Sequence, residues 1–318
     1  MSSSPLTQPL VFQPLFMERI WGGRRLEALY GKRLPPSVPI GESWEIVDRP
    51  EAQSVVHGGP WRGRTLHDLW LNHRTDVFGK IADAPRFPLL IKLLDAQEKL
   101  SLQVHPPAEI AAELGAEPKT ECWYIADASP GAELYVGVKP GCSRTTFENA
   151  IARGEAEEHV HRLPVKSGDA MFLPSGRVHA IGAGNLIVEV QQNSDTTYRV
   201  FDWNRTDADG TPRALHIEQS LRSIDFEDCA PALVSPEGET LVRHQLFAIE
   251  KWELRDPREA APAAEFAIIC CLAGGVGCAG TTIEPGEFFL LPASVEDRML
   301  QPAGADTALL RITIPPAA

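Results

Sequence analysis

The chain has 318 residues, with 43 acidic against 30 basic side chains for a formal charge of -13, and 43% of its residues are hydrophobic. That length suits one large or two medium domains with ample core, while the negative excess repels phosphate backbones and anionic headgroups and so argues against nucleic-acid or membrane-surface binding. The longest apolar runs reach only about ten residues, short of the roughly 20 that span a bilayer.

The first ten residues, MSSSPLTQPL, carry no basic segment leading into an apolar core, so no secretion signal is expected and the chain reads as cytoplasmic. Between residues 62 and 80, Leu66, Leu69, Trp70 and Val77 recur at helical spacing, and a second helical patch is expected from Ala108 to Gly115. From Pro88 onward the chain reads as short strands bounded by turn formers: PLLIKLLDA, KLSLQVH, ECWYIAD, AELYVGV, DAMFLP, NLIVEVQQ and TTYRVFDW. The C-terminal part repeats this texture in HQLFAIEKWEL, EFAIICCLAG, GEFFLLPA and TALLRITI. Many short strands at close spacing predict a β-sandwich or barrel with few helices. Cys122, Cys142, Cys229, Cys270, Cys271 and Cys278 contain no CxxC pair and are too sparse for a disulfide framework, so reduced and mostly buried thiols are expected.

An internal comparison aligns Gly168-Asp169-Ala170-Met171-Phe172-Leu173-Pro174 with Gly286-Glu287-Phe288-Phe289-Leu290-Leu291-Pro292. Five residues past the proline the first copy has His179 and the second Asp297. The pattern predicts a duplicated fold whose second unit lacks the histidine and serves for packing.

The most informative segment is Lys99 to Pro106, because its alternation is strict. Side chains two apart share a strand face, so Leu100, Leu102 and Val104 are expected on one side and Ser101, Gln103 and His105 on the other. Glu121 opens an apolar strand in which a carboxylate needs a partner, and His179 follows a Gly-rich turn onto the next strand. Two histidines, a carboxylate and an amide suit zinc and are compatible with iron, manganese or cobalt. The pair His159 and His161 has a tempting spacing but lies in a charged segment and is expected to be solvated; His57, His67, His73, His216 and His244 have no paired spacing.

The spacing from Gly168 through Pro174 and Gly176 to His179 resembles a motif of the cupins, small β-barrels that hold a metal in the lumen. Ser101-Leu102-Gln103-Val104-His105-Pro106, Lys119-Thr120-Glu121 and Gly176-Arg177-Val178-His179-Ala180, together with Gly41-Glu42-Ser43-Trp44-Glu45 and Trp21-Gly22-Gly23, resemble the type I phosphomannose isomerases in their short bacterial form. The resemblance implies a mainly β protein, a duplicated cupin jelly roll with a few helices in the N-terminal half. Residues 1–235 would form the catalytic domain and 240–318 a degenerate second one. It implies one zinc ion per chain on Gln103, His105, Glu121 and His179, and an active-site arginine at Arg199 near Asp195. Lys92 and Lys119 match active-site lysines, and Ser101 and Arg205 would meet the substrate phosphate.

The implied activity is a zinc-dependent interconversion of mannose 6-phosphate and fructose 6-phosphate through an enediol. Lys92, Lys119, Glu42, Glu189 and Asp195 are the titratable candidates for proton transfer or ring opening, with Lys119 placed for a shift towards neutrality by burial beside a cation. A small phosphorylated sugar is the expected partner, with no nucleic acid, membrane or obligate protein partner. Competing readings are a metal-dependent cupin oxygenase and a non-catalytic sugar-binding cupin. The chain departs from the family pattern at Asp48, Pro107 and Ala183.

Overall fold

The computed structural model describes residues 5–206 and 210–315. The first sandwich is built from β1 (Leu15–Gly23), β2 (Ile40–Ile46), β3 (Leu89–Ala96), β4 (Leu102–Val104), β5 (Glu121–Ala128), β6 (Glu133–Val138), β7 (Val160–Pro164), β8 (Ala170–Leu173), β9 (His179–Ile181), β10 (Asn185–Gln192) and β11 (Tyr198–Phe201). One sheet has the order β1-β2-β3-β10-β5-β8 and the facing sheet the order β11-β4-β9-β6-β7. The second sandwich follows with β12 (Thr240–Arg243), β13 (Ala248–Glu253), β14 (Arg258–Glu259), β15 (Ala267–Ala273), β16 (Val276–Cys278), β17 (Thr281–Ile283), β18 (Phe288–Leu291), β19 (Met299–Pro302) and β20 (Ala308–Thr313). Its sheets run β12-β13-β20-β15-β18 and β14-β19-β16-β17. The protein is therefore mainly β, as expected.

The two halves share more than strand count. The series β10-β5-β8 of the first recurs as β20-β15-β18 in the second, and the repeated sequence forms the last strand of each. Before each of these strands a glycine with left-handed backbone, Gly168 (φ 92) or Gly286 (φ 81), makes the turn. The next residue closes it in the same way in both: Asp169 accepts from the Lys166 amide and Glu287 from the Glu284 amide, each at 2.9 Å. One residue past Asp297, the counterpart of His179, the second copy buries the guanidinium of Arg298, which donates to the carbonyls of Ala261, Pro292, Ala293, Val295 and Glu265.

Helices are short. They are α1 (Arg25–Tyr30), α2 (Leu66–Asn72), α3 (Arg74–Phe78), α4 (Ala108–Ala111), α5 (Arg144–Arg153) and α6 (Ile217–Ser223). The helix expected over residues 62–80 breaks at His73 into α2 and α3, with Leu66, Leu69, Trp70, Val77 and Phe78 buried. The patch at Ala108 contributes only the single turn α4. Helix α5 was not read from the sequence, although Ser143 caps it through the Thr146 amide and Phe147, Ala150 and Ile151 form its buried stripe.

The helices α5 and α6 explain the alternating strand. Leu102 and Val104 pack outward with Phe147, Ile151, Leu221 and Val200, so the apolar face is covered by helices and the polar face turns into the sandwich. Leu100 departs from the expected face: it lies before β4 begins and joins Trp21, Leu94 and Ile181 in another cluster.

The two sandwiches share one apolar core. Leu10 bridges to Leu290, the Ala293 amide donates to the Val77 carbonyl at 2.9 Å, and Phe266 stacks edge-on against Phe78 at 5.6 Å and Phe87 at 6.1 Å. Phe266→Ala is expected to lower the unfolding free energy by about 3 kcal/mol through the void it opens. Urea denaturation measures this, and a loss under about 1 kcal/mol would show that the aromatic contact does not couple the halves.

Candidate functional site

Between the sheets of the first sandwich lies a cavity of about 310 Å³. Its floor is set by strand register. Gln103 on β4 pairs with His179 on β9, and Arg199 on β11 pairs with Gln103 from the other side. On the opposite sheet Glu189 of β10 stands beside Lys92 of β3 and Trp123 of β5. The cavity thus receives Ser101, Gln103, His105, Glu121, His179 and Arg199, and also Lys92, Lys119, Glu42, Glu189 and Asp195.

His105, Glu121 and His179 are almost fully buried, and their ligand atoms lie within 4.8 Å of one another. They form the only such His/Cys/Asp/Glu group among the described residues. Each imidazole is oriented from behind. Nδ1 of His105 donates to the Thr196 carbonyl and Nδ1 of His179 to the Arg177 carbonyl, both at 2.8 Å, so the lone pair of each ring sits on Nε2. Those Nε2 atoms lie 3.6 and 3.5 Å from Glu121. Burial pushes the His105 imidazole down to about 3, with Lys119 adding to the effect, and burial lowers His179 as well. Both rings are therefore held neutral, the form that ligates metals.

Buried Nε2 of His105 has no hydrogen-bond partner, and Oε2 of Glu121 meets only the charge of Lys119, 3.1 Å away. A buried nitrogen left without a partner is costly unless something fills the space in front of it. Gln103 donates through its amide nitrogen to Ser101 Oγ at 3.1 Å, which leaves its carbonyl oxygen as the atom it can offer a cation. A borderline divalent cation fits this nitrogen and oxygen donor set. His159 and His161 lie half-buried at the edge strand β7 and its approach, away from the cluster.

The surrounding charges are tightly paired. Lys119 Nζ lies 3.1 Å from Glu121, and Lys92 Nζ lies 3.3 Å from Glu189. Burial opposes the charge on Lys119, yet Glu121 and Glu189 outweigh it and raise its pKa. The expected shift of Lys119 towards neutrality is thus corrected: its nearest neighbour is a carboxylate, not a cation. Burial likewise opposes ionisation of Glu121, but Lys119 and His105 hold its carboxyl well below the usual range. Glu42 is lowered too, because Lys92 and Arg19 overcome burial, and the Trp44 indole donates to it at 2.7 Å. Glu189 goes the other way. Burial and the nearby Glu121 raise its pKa, and the Trp123 indole donates to it at 2.9 Å.

Arg205 needs correction as a phosphate ligand. Its Nη1 donates to the Lys99 carbonyl and its Nη2 to Asp202, each at 2.6 Å, while Nε donates to the Asp202 carbonyl at 3.3 Å. It does not line the cavity among the described residues, whereas Arg213 does. Sequence reasoning also missed Arg19 and gave Trp21 only as part of a motif without a site role; both reach the cavity as alternate residues of β1. Their period-two spacing was the available signal; Arg213 lies in a loop and offered none.

The sequence from residue 10 to 127 matches the family model of the type I phosphomannose isomerase catalytic domain. Across 314 residues the chain is 40% identical to the mannose-6-phosphate isomerase ManA of Bacillus subtilis, covering 93% of this chain and 96% of that protein. The chain belongs to the mannose-6-phosphate isomerase family. A Streptococcus mutans member is 38% identical over 92% of this chain and 94% of its own length. The crystal structure of a Bacillus subtilis member superposes with a TM-score of 0.86 at 35% identity, covering 97% of this chain and all of the other. The family fold extends to an Archaeoglobus fulgidus structure with a TM-score of 0.79 at 20% identity, covering 98% of this chain and 99% of that one.

Within this family the departures at Asp48, Pro107 and Ala183 stay clear of the cavity lining. Asp48 is fully buried and accepts from the Phe87 amide, Arg86 and Gln53, pinning the end of β2 beside the start of β3. Pro107 precedes α4, and Ala183 sits exposed in a turn.

Proposed function

We propose that the chain interconverts mannose 6-phosphate and fructose 6-phosphate through an enediol, with one zinc ion per chain on Gln103, His105, Glu121 and His179. The observation that carries this reading is the buried His105–Glu121–His179 cluster, with the unpartnered Nε2 of His105, in a cavity that also holds Lys92, Lys119 and Arg199. Bound there, the cation supplies Lewis-acid polarisation of a sugar oxygen.

The chain's own groups supply the rest. Aldose–ketose exchange moves a proton between C1 and C2, and the group that carries it must reach both carbons. Glu189 is the carboxyl group best matched to that task, since Glu42 is ionised and tied to Arg19 and Trp44 and Glu121 is taken as a ligand. Arg199 is too basic to act as a base and instead faces negative charge developing on the sugar oxygens. Trp21, Leu94, Leu100 and Ile181 form an apolar wall that limits water at the reacting carbons.

Turnover in D₂O tests the enediol. Deuterium appearing at C1 of fructose 6-phosphate is the expected result. Strict transfer of the C2 hydrogen with no solvent exchange, in both the protein and a Glu189→Gln variant of unaltered rate, would point to hydride transfer and remove Glu189 from its role.

A further inference from the structure

We propose that Arg49, which stands outside the catalytic cavity, is a positioning residue for the metal site: it clamps the loop whose Thr196 carbonyl aims His105. The inference rests on the reading of His105 as a ligand and names what holds that ligand in place from a distance.

The loop in question, residues 193–197, carries the chain from β10 in one sheet to β11 in the other. Its two sides face different spaces. Asp195 and Thr197 line the catalytic cavity. Asn193 and Ser194 line a second, open cleft of about 370 Å³ together with Arg49, Phe87, Glu117 and Pro118. The loop is thus backed by a cleft and not by a packed core, so the direction of its carbonyls depends on the hydrogen bonds that reach it.

Those bonds converge on Thr196. Its carbonyl accepts from Nδ1 of His105 at 2.8 Å, its amide donates to Ser194 Oγ at 3.2 Å, and its hydroxyl accepts from the Glu117 amide at 3.1 Å. Ser194 Oγ in turn donates to the Glu117 carbonyl at 3.3 Å. From inside the sandwich the Gln191 amide nitrogen holds the Ser194 carbonyl at 2.6 Å. From the cleft side the grip comes from Arg49. Its Nη1 donates both to the Asn193 carbonyl and to the Glu117 carboxylate, each at 2.9 Å, and so ties the loop to the segment that fixes Thr196. Asn193 answers in the reverse sense, with Nδ2 donating to the Asp48 carbonyl at 2.6 Å. Residues 48–49 and 193 therefore exchange two hydrogen bonds, and Nε of Arg49 donates to Glu51 at 2.5 Å to hold the guanidinium in plane with them. Only 13% of the Arg49 side chain is exposed, which sets it apart from a solvated surface cation.

Arg86 supplies the comparison. It lines the same cleft and donates to the buried Asp48 at 2.9 Å, but it has no bond to the loop. A residue that merely supports this side of the fold should behave like Arg86, whereas a positioning residue should change the metal site.

The test measures zinc affinity of the full chain by competition with a chromophoric chelator, without substrate, alongside thermal unfolding of the metal-free protein. The variants are R49A, R49K, N193A and R86A. Removing a group that orients a metal ligand typically costs about 10- to 100-fold in affinity, and Arg49 acts one bond further out, so R49A should bind zinc about 10-fold more weakly. R49K keeps a donor for the Asn193 carbonyl but not the planar fork and should recover part of the loss. N193A should weaken binding in the same direction, and the R49A/N193A pair should cost less than the sum of the two, because both open one clamp. R86A should lower the unfolding temperature and leave zinc affinity unchanged. Zinc affinity within about two-fold of the parent in R49A and N193A, or an equal loss in R86A, overturns the proposal. Should R49A not fold, N193A against R86A decides by the same criterion. Failure of the unsubstituted chain to take up zinc would defeat the metal site itself, and is seen before any variant is made.

Discussion

His179→Ala is expected to yield a folded chain that no longer retains its divalent cation. The imidazole is aimed by the Arg177 carbonyl behind it and by the pairing of His179 with Gln103 across β9 and β4, so no neighbouring group can swing into its place. A zinc site of this kind yields about 12 kcal/mol over its ligands. Removing one of four then costs about 3 kcal/mol, or more than 100-fold in affinity. Isomerase activity at limiting metal should fall at least as far. The fold should survive, because His179 lies in a polar cluster, its ring tilted against His105 and edge-on to Trp123. Metal titration against a chromophoric chelator measures the loss, and an affinity equal to that of the unsubstituted chain would remove His179 from the ligand set.

Arg199→Ala is expected to separate catalysis from metal binding. Arg199 is fixed at both ends: its amide donates to His216 Nδ1 at 3.0 Å, its carbonyl accepts from the His216 amide at 2.8 Å, and Nη1 donates to the Ala214 carbonyl at 2.8 Å. Preorganised donors of this kind, aimed at developing negative charge, are typically worth about 10²–10³ in kcat. The alanine variant should lose about that much while keeping its metal and its KM within a few-fold. Arg199→Lys preserves charge but not the planar fork and should restore only part of the rate. A kcat within two-fold of the parent in Arg199→Ala would rule out the role. His216, read from the sequence as an isolated histidine, thus serves to hold the active-site strand edge.

Much of this site was legible because its residues break local patterns. Gln103 and His105 interrupt a strand whose apolar face is covered by α5 and α6, and Glu121 places a charge at the head of a buried strand. Such violations carry information because burying polar groups is costly without a partner. The jelly roll was legible from period-two runs and turn glycines for the same reason. What stayed hidden depends on geometry that no local pattern encodes. Arg205 lies six residues beyond Arg199, but the left-handed turn at Trp203 and Asn204 redirects it to the Lys99 carbonyl. Arg213 arrives through a bond to Asp202, and Arg19 through the pairing of β1 with β2 and its ion pair to Glu42. The charge of Lys119 was misread because sequence shows burial but not that the nearest neighbour, at 3.1 Å, is a carboxylate.

The most direct measurement is the metal content of the purified protein together with its turnover of mannose 6-phosphate to fructose 6-phosphate, taken before chelation, after it and after zinc is restored. One divalent cation per chain, activity lost with its removal and recovered with zinc, is the predicted result. Undiminished turnover by metal-free protein, or a fully loaded protein that leaves mannose 6-phosphate unchanged, would contradict the account.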